Sequence, residues 1–269
     1  MFFPDLALAR RLEFHEAWSS VEHTRIQARL YPQTGAVSQP IAEGYAVFCG
    51  QKSPLSQVYG LGLSSPVLAT DLEAIEKFYR NRDRRVRVCV CPLADPSLLC
   101  LLSERGYSIQ DFMNVYVRQV KSLDEEPPTV SGLKIKVATS EEARYWFELL
   151  GAGGDWAEPD GITFMTIRCT LKSGTRLFLA WRDGQPVGGG ALEVHDGMAA
   201  LMAADTLPAF RNQGIHTALL HVRLAAAVEA GCDLAMVHTL PGAVSQRNIL
   251  RSGFQLAYTS VSLLRMLSI

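Results

Sequence analysis

An acidic run that ends in a proline pair cuts this chain almost in half. Residues 121–131 read KSLDEEPPTVS, and Pro127-Pro128 can neither continue a helix nor join a central strand. The fold must therefore be argued for two stretches, each of ordinary domain size. The two stretches share a register. Setting Gly106-Tyr107 on Gly253-Phe254 gives an offset of 253 − 106 = 147. The same shift lays residues 88–91 over 235–238, residues 98–105 over 245–252, and the helical run 71–80 over the long helix of the second half. One register that aligns a strand, two helices and a Gly-aromatic turn marks an internal repeat. The expectation is an α/β (α+β) chain of two related domains, 1–120 and 132–269, joined by the linker 121–131.

Elements follow one another clearly in the second half. Residues 133–137 alternate as a strand, and 139–150 read as a helix capped at Thr139 and opened by Ser140-Glu141-Glu142. A loop, GAGGDWAEPD, fills 151–160. Strands are then expected at 176–181, 186–194 and 198–206, with Asp183-Gly184 and Asp196-Gly197 as the turns between them. A loop and a long helix come next, in which Ile215, Leu219, Val222 and Ala226 fall within about 60° of one another and define a buried face. Residues 233–239 read as a strand, 242–252 as a short helix closed by Gly253, and 256–266 as the last strand.

The turn into the long helix carries the chemistry. Arg211, Gly214 and His216 stand in the pattern Arg-x-x-Gly-x-His where a strand runs into a helix start. The first amides of a helix have no partner inside it, and with the positive end of the dipole they make an anion site. Gly214 lets a phosphate approach without a Cβ in the way. A Walker loop is excluded because no Gly-Lys-Ser/Thr follows, and a dinucleotide fingerprint fails because antiparallel strands lead in.

The order of elements over 133–266, with LPAFRNQGIHTALL at 207–220, resembles the GCN5-related N-acetyltransferase (GNAT) superfamily. The loop is similar to that family's acyl-CoA pyrophosphate loop, and residues 245–254, SQRNILRSGF, are similar to its final helix ending in Gly-Phe. The resemblance implies tandem GNAT-like domains, each a mixed, mostly antiparallel sheet flanked by helices. Only the second would be equipped for CoA. It implies acetyl-CoA as acyl donor, a small-molecule amine as acceptor, and direct transfer in a ternary complex. Carried over by residue, the CoA-binding set would be Ala204, Asp205 and Thr206 on the strand, and Arg211, Asn212, Gln213, Gly214, Ile215, His216 and Thr217 in the loop. Ser245 and Asn248 would join them from the final helix.

Two positions depart from the family. His216 fills the loop's small-residue slot, and Ile249 stands where relatives often carry a Tyr that protonates the departing thiolate. The family's frequent strand Glu also has no match in 198–204, so Glu193 first and His238 second are the expected bases that free the amine. Loss of acid and base leaves a second reading open, a non-catalytic CoA-binding or interaction module. Asp155, Trp156 and Glu158 are expected to line the acceptor side.

Composition removes other classes. The chain of 269 residues has 26 Lys+Arg against 27 Asp+Glu, a net charge of −1, so no broad basic face suits nucleic acid. The run RNRDRRVR at 80–87 reads as a solvated helix end. No apolar run approaches the roughly 18 residues that span a bilayer, and the start lacks a basic signal region, so a cytoplasmic protein is expected. The six cysteines form no C-x-x-C pair, and His216 and His221 lie about 140° apart on a helix, so no metal site is expected. In the first half the offset puts Ser64, Val67 and Ala69 where Arg211, Gly214 and His216 stand, with Pro66 removing an amide. That half is expected to keep the fold without CoA, walling the acceptor pocket or stabilising its neighbour. The assembly is expected to be a monomer or homodimer.

Overall fold

The computed structural model describes residues 3–120, 130–151 and 159–265. In chain order the first half gives α1 (Leu6–Leu30), β1 (Val37–Ile41), β2 (Gly44–Phe48), β3 (Val58–Tyr59), α2 (Ala69–Arg80), β4 (Val86–Val90), α3 (Pro96–Glu104) and β5 (Tyr107–Gln119). The second half gives β6 (Lys134–Val137), α4 (Ser140–Gly151), α5 (Pro159–Thr166), β7 (Thr175–Arg182), β8 (Gln185–His195), β9 (Met198–Thr206), α6 (Ile215–Glu229), β10 (Leu234–Thr239), α7 (Val244–Arg251) and β11 (Gln255–Arg265). Most of the linker, 121–129, lies outside the described residues.

Local chemistry explains where helices begin. The Asp5 carboxylate accepts from Leu8 N–H at 2.8 Å to open α1, and the Asp95 carboxylate accepts from Ser97 N–H at 2.9 Å ahead of Pro96. The α4 start is a reciprocal cap. Glu142 N–H donates to Thr139 Oγ1 at 3.2 Å, while Thr139 N–H donates to the Glu142 carboxylate at 3.0 Å.

Two compact units result. Among the described residues, those up to Val115 together with those from Leu256 form the first, and those from Tyr116 to Gln255 form the second. In the first unit β1 pairs antiparallel with β2, β2 antiparallel with β3, and β3 parallel with β4 through Val58↔Val88. In the second, β6, β7, β8 and β9 form an antiparallel run, and β9 pairs parallel with β10. The succession antiparallel, antiparallel, parallel occurs in both, and at offset 147 β2 falls on 191–195 within β8 and β3 on 205–206 at the end of β9. By that offset α2 falls on 216–227 within α6, β4 on 233–237 against β10, and α3 on 243–251 against α7.

The units differ from the sequence halves in their last strands. β11 was expected in the second domain, but it pairs antiparallel with β4, from Val261↔Val90 to Arg265↔Val86. The end of β5, from Tyr116, is placed in the second unit, where Val120 N–H donates to Asp233 O at 3.1 Å. The cause is the odd-face chemistry of β11. Val261 and Leu263 pack with Val86, Val88, Leu72, Ile75 and Leu98, while Tyr258 turns to the other face and donates to the Glu13 carboxylate of α1 at 2.8 Å.

In the second unit α6 and α7 cover one face of the sheet, where Ile215, Leu219, Leu224, Ile249 and Phe254 meet Phe178, Leu192, Ala199 and Ala235. α4 covers the other, where Ala143, Trp146 and Phe147 meet Leu177, Leu179 and Ala191. Val222, expected on the buried face of α6, is only partly buried, and Arg223 beside it is fully buried.

The Glu13–Tyr258 bond yields a first test. Burial pushes the Glu13 carboxyl from 4.5 up to about 7, against the opposing pull of the Tyr258 hydrogen bond, with Glu16 adding to the rise. A folded-state value above the unfolded one means the native form holds an extra proton between pH 4.5 and about 7. Stability of the first unit should therefore be full below pH 4.5 and decline as pH rises through 7. Glu13→Gln keeps an acceptor for Tyr258 and carries no charge. Chemical denaturation at pH 6 and pH 8 should show the wild-type loss flattened in this variant.

Candidate active site

β9 and β10 part company at the centre of the second unit. Their parallel ladder runs Leu234↔Met198, Ala235↔Ala199, Met236↔Ala200 and stops there. β9 continues to Thr206 and β10 to Thr239. Beyond Ala200, no pairing joins that edge of β9 to β10 among the described residues. On its other edge β9 carries one extra residue against β8. The register steps from Gly189↔Asp205 to Ala191↔Met202, and Ala203 takes a left-handed φ of +50°. Such a bulge turns the strand's groups away from a regular alternation.

From Thr206 the chain runs through a short 3-10 turn, Pro208–Phe210, to Gly214. Several bonds fix this path. Leu207 N–H donates to Val187 O at 3.0 Å, Arg211 Nε to Thr206 O at 3.0 Å, and Gln213 Oε1 accepts from Arg182. Gly214 sits at φ +79°, a conformation that favours glycine, and an added Cβ would lie 3.3 Å from Val130 Cγ2. The first α6 hydrogen bond is Ala218 N–H to Gly214 O, at 2.9 Å. The amides of Ile215, His216 and Thr217 therefore have no partner inside the helix. Arg211, Asn212, Gln213 and Gly214 are all exposed, so this helix start is open to an anion.

At the matching helix start of the first unit the Asp71 carboxylate accepts from Leu68 N–H at 2.9 Å, which puts a negative charge beside the first amides of α2.

The expected site residues divide into three groups. Ala204, Asp205 and Thr206 end β9, and the loop 211–217 follows after Leu207–Phe210; Thr206 and Ile215 are buried, while Ala204, Arg211, Asn212, Gln213 and Gly214 are exposed. Asp205 is tied into this stretch, accepting from Thr206 N–H at 2.6 Å and lying 3.5 Å from Arg211. Half-buried Ser245 and Asn248 lie on α7, and Asn248 Nδ2 is 3.3 Å from His216 Nδ1, which joins α7 to the helix start. The His216 side chain therefore turns toward α7. Burial pushes its imidazole from 6.5 down to about 4, the Arg223 cation adds to the fall, and Asp205 opposes it.

The two expected bases sit differently. Glu193 lies on β8 between Thr175 and Ala200, with 0% exposure, and its carboxylate is ion-paired with Lys172, also 0% exposed at the side chain. A carboxylate enclosed in this way is held by its cation and shielded from water. His238 is half-buried on β10, two positions beyond Met236 where the pairing with β9 ends, hence on the same sheet face as Met236. Ile249, in the Tyr slot, is packed in the core. Asp155, Trp156 and Glu158 lie outside the described residues.

Arg223 and Lys172 escaped the sequence reading. A signal existed in Gly188-Gly189-Gly190, since successive glycines inside a strand mark close approach. A Cβ at Gly188 would lie 2.9 Å from Ile215, at Gly189 2.6 Å from Trp146, and at Gly190 2.8 Å from Arg223.

Residues 140–254 match the model of the acetyltransferase (GNAT) family. No curated protein matches the chain in sequence. A solved GCN5-related N-acetyltransferase from Kribbella flavida is similar in fold at a TM-score of 0.63 and 20% identity, over 91% of this chain and 94% of that one. A tandem GNAT protein from the clavulanic acid biosynthesis pathway is similar at 0.62 and 15% identity, over 82% and 78%. A GCN5-related N-acetyltransferase from Sphaerobacter thermophilus is similar at 0.59 and 16% identity, over 78% and 71%. At these identities the likeness is one of fold.

His216 gives the test of this geometry. Its folded value lies below the unfolded one, so the unfolded chain holds more protons between pH 6.5 and about 4. Stability is full above 6.5 and falls as pH drops toward 4. An NMR titration should keep the His216 ring neutral at pH 5.5, and His216→Gln should flatten the acid limb of the stability curve.

Proposed function

We propose, from the match of residues 140–254 to the acetyltransferase (GNAT) family model, that this protein moves an acetyl group from acetyl-CoA to an amine of a small molecule, directly, in a ternary complex. The observation that carries the reading is the junction of two features on one strand. β9 leaves β10 after Ala200, and the end of that same strand runs into the open helix start at Gly214. Residues 204 and 205, beyond the last pairing with β10, offer a strand edge to pantetheine, and Thr206 is tied to Asp205 and Arg211. The amides of Ile215, His216 and Thr217, with Arg211, Asn212 and Gln213 beside them, suit a pyrophosphate. Ser245 and Asn248 approach from α7. Among the described residues no group of His, Cys, Asp and Glu could hold a metal ion, and no helix is long and apolar enough to cross a membrane. A cytoplasmic monomer or homodimer completes the reading.

Acetyl-CoA supplies the activated acyl group as a thioester. The acceptor must first lose its ammonium proton, because only the free amine has the lone pair to attack. We assign that role to His238, directly or through water, and its position on β10 beyond the last pairing with β9 supports the assignment. Glu193, the alternative base, is committed to Lys172, and its position supports a packing role. Negative charge developing on the carbonyl oxygen meets backbone amides of β9. The departing thiolate is a tolerable leaving group, and Ser245 or a water can return the proton that Ile249 has no group to give. The enclosure of Glu193 and the burial of Ile249 favour one other reading, a CoA-binding module without turnover.

Thiol release from acetyl-CoA across a panel of amines separates the two. His238→Ala should lower kcat by about 10²-fold with little change in acetyl-CoA affinity. Gly214→Trp should abolish acetyl-CoA binding, because the left-handed turn and the anion cradle are both lost. Binding without turnover on any amine selects the module, and unchanged affinity in Gly214→Trp overturns both readings.

A further inference from the structure

Arg223 lies one turn beyond Leu219 on the face of α6 that packs against the sheet, and it is 1% exposed. Its neighbours on that face are apolar, Ile215, Leu219 and Ala226, so an aliphatic side chain there would pack without desolvating a charge. The guanidinium has no carboxylate partner among the described residues. It bonds to carbonyls instead: Nε to Leu219 O at 3.0 Å, and one terminal nitrogen to both Ala191 O at 3.2 Å and Met202 O at 3.3 Å. Burial pushes its pKa down to about 10, which leaves it a cation at neutral pH.

Those last two acceptors define its place. Ala191 and Met202 face each other across β8 and β9 where the register slips. A bulge disrupts the ladder and leaves buried carbonyls short of donors, each of which must find one. Arg223 provides both bonds from a single nitrogen. Gly190, opposite the bulge, makes the room, since a Cβ there would lie 2.8 Å from the guanidinium carbon. The extra residue, Ala203, holds a left-handed φ of +50°, which a residue with a Cβ keeps only when its surroundings impose it.

We infer that Arg223 is a positioning residue that sets the β9 bulge, and through the bulge the aim of the β9 amides at the thioester carbonyl. The inference rests on the acetyltransfer reading for its kinetic consequence. It also makes α6 a single rigid link. The start of the helix faces the anion and its third turn grips the strand that meets the reacting bond, so cradle and bulge keep a fixed spacing.

The test compares Arg223→Met, Arg223→Lys and Gly190→Ala by kcat, by acetyl-CoA affinity, and by amide hydrogen exchange with CoA bound. Arg223→Met should lower kcat on the order of 10²-fold, the scale of a misplaced oxyanion donor, while affinity stays within about threefold because the loop is intact. Arg223→Lys should recover part of the loss. Gly190→Ala should lower kcat in the wild-type background and add nothing in the Arg223→Met background, where the shorter side chain leaves the Cβ room. Exchange at Ala203 and Ala204 should quicken at least about tenfold in Arg223→Met, with Ile215, His216 and Thr217 unchanged.

Unchanged exchange with kcat within about threefold overturns the inference, and so does a parallel loss of affinity, kcat and protection throughout the second unit. If Arg223→Met does not fold, wild-type kcat in both Arg223→Lys and Gly190→Ala overturns it. If the wild type turns over no amine, the acetyltransfer reading fails, and exchange at Ala203 and Ala204 still decides whether Arg223 sets the bulge.

Discussion

Three successive glycines on β8 govern how closely anything can approach the sheet of the second unit. Gly188 takes the side chains of Ile215 and Leu219, Gly189 takes the Trp146 ring from the opposite face, and Gly190 takes the Arg223 guanidinium. Glycine inside a strand carries an entropic penalty and offers no side chain to pack, so three in a row are retained only where neighbours fill the space they leave. Here the neighbours are Ile215, Leu219 and Arg223 of α6 and Trp146 of α4. Seating α6 this close places its start at the end of β9, and seating α4 this close closes the other face. The anion cradle, the bulge and the core are thus consequences of one stretch of bare backbone.

The unit also shows how buried charge is tolerated in two ways. Lys172 and Glu193 neutralise each other out of water, an arrangement in which losing one partner would strand the other. Arg223 has no carboxylate partner among the described residues and is held by backbone carbonyls, each carrying a partial negative charge. The first unit uses a third way, in which the Glu13 carboxyl shares a hydrogen with Tyr258 and its burial favours the neutral form.

Much of this was legible in the sequence where the signal is local. The strands from 176 to 206, the helix at 215 and the loop around Gly214 depend on turn residues and periodicity within a few positions, and they stand where those signals put them. What escaped depends on distant partners. Glu193 reads as a free acid on a strand until Lys172 is folded against it. Arg223 falls on the buried stripe of α6, but a lone Arg in such a stripe reads as an exposed neighbour, and helical periodicity puts Val222 on the stripe in its place. α1 gave no clear face because its buried residues include Glu13, His15, Ser19, Ser20, His23 and Gln27, which look like a solvated surface. The arginines at 80–87 are less free than their composition suggests. Arg82 lies 3.9 Å from the Phe78 ring centre, and Arg87 pairs with Asp111 at 2.6 Å. Chain order, finally, names no sheet for the last strand, so the strand exchange had no sequence signature.

That exchange bears on how the protein is made. β11 is the final described element, yet it pairs with β4 and meets α1 through Tyr258, so it belongs to the unit whose other strands are synthesised first. A ribosome adding residues at about 5–20 per second delivers the first half long before this strand exists. Until β11 has been synthesised, that edge of β4 waits unpaired and Glu13 lacks its donor. The unit whose other strands are translated first can therefore close only after the second unit has been made.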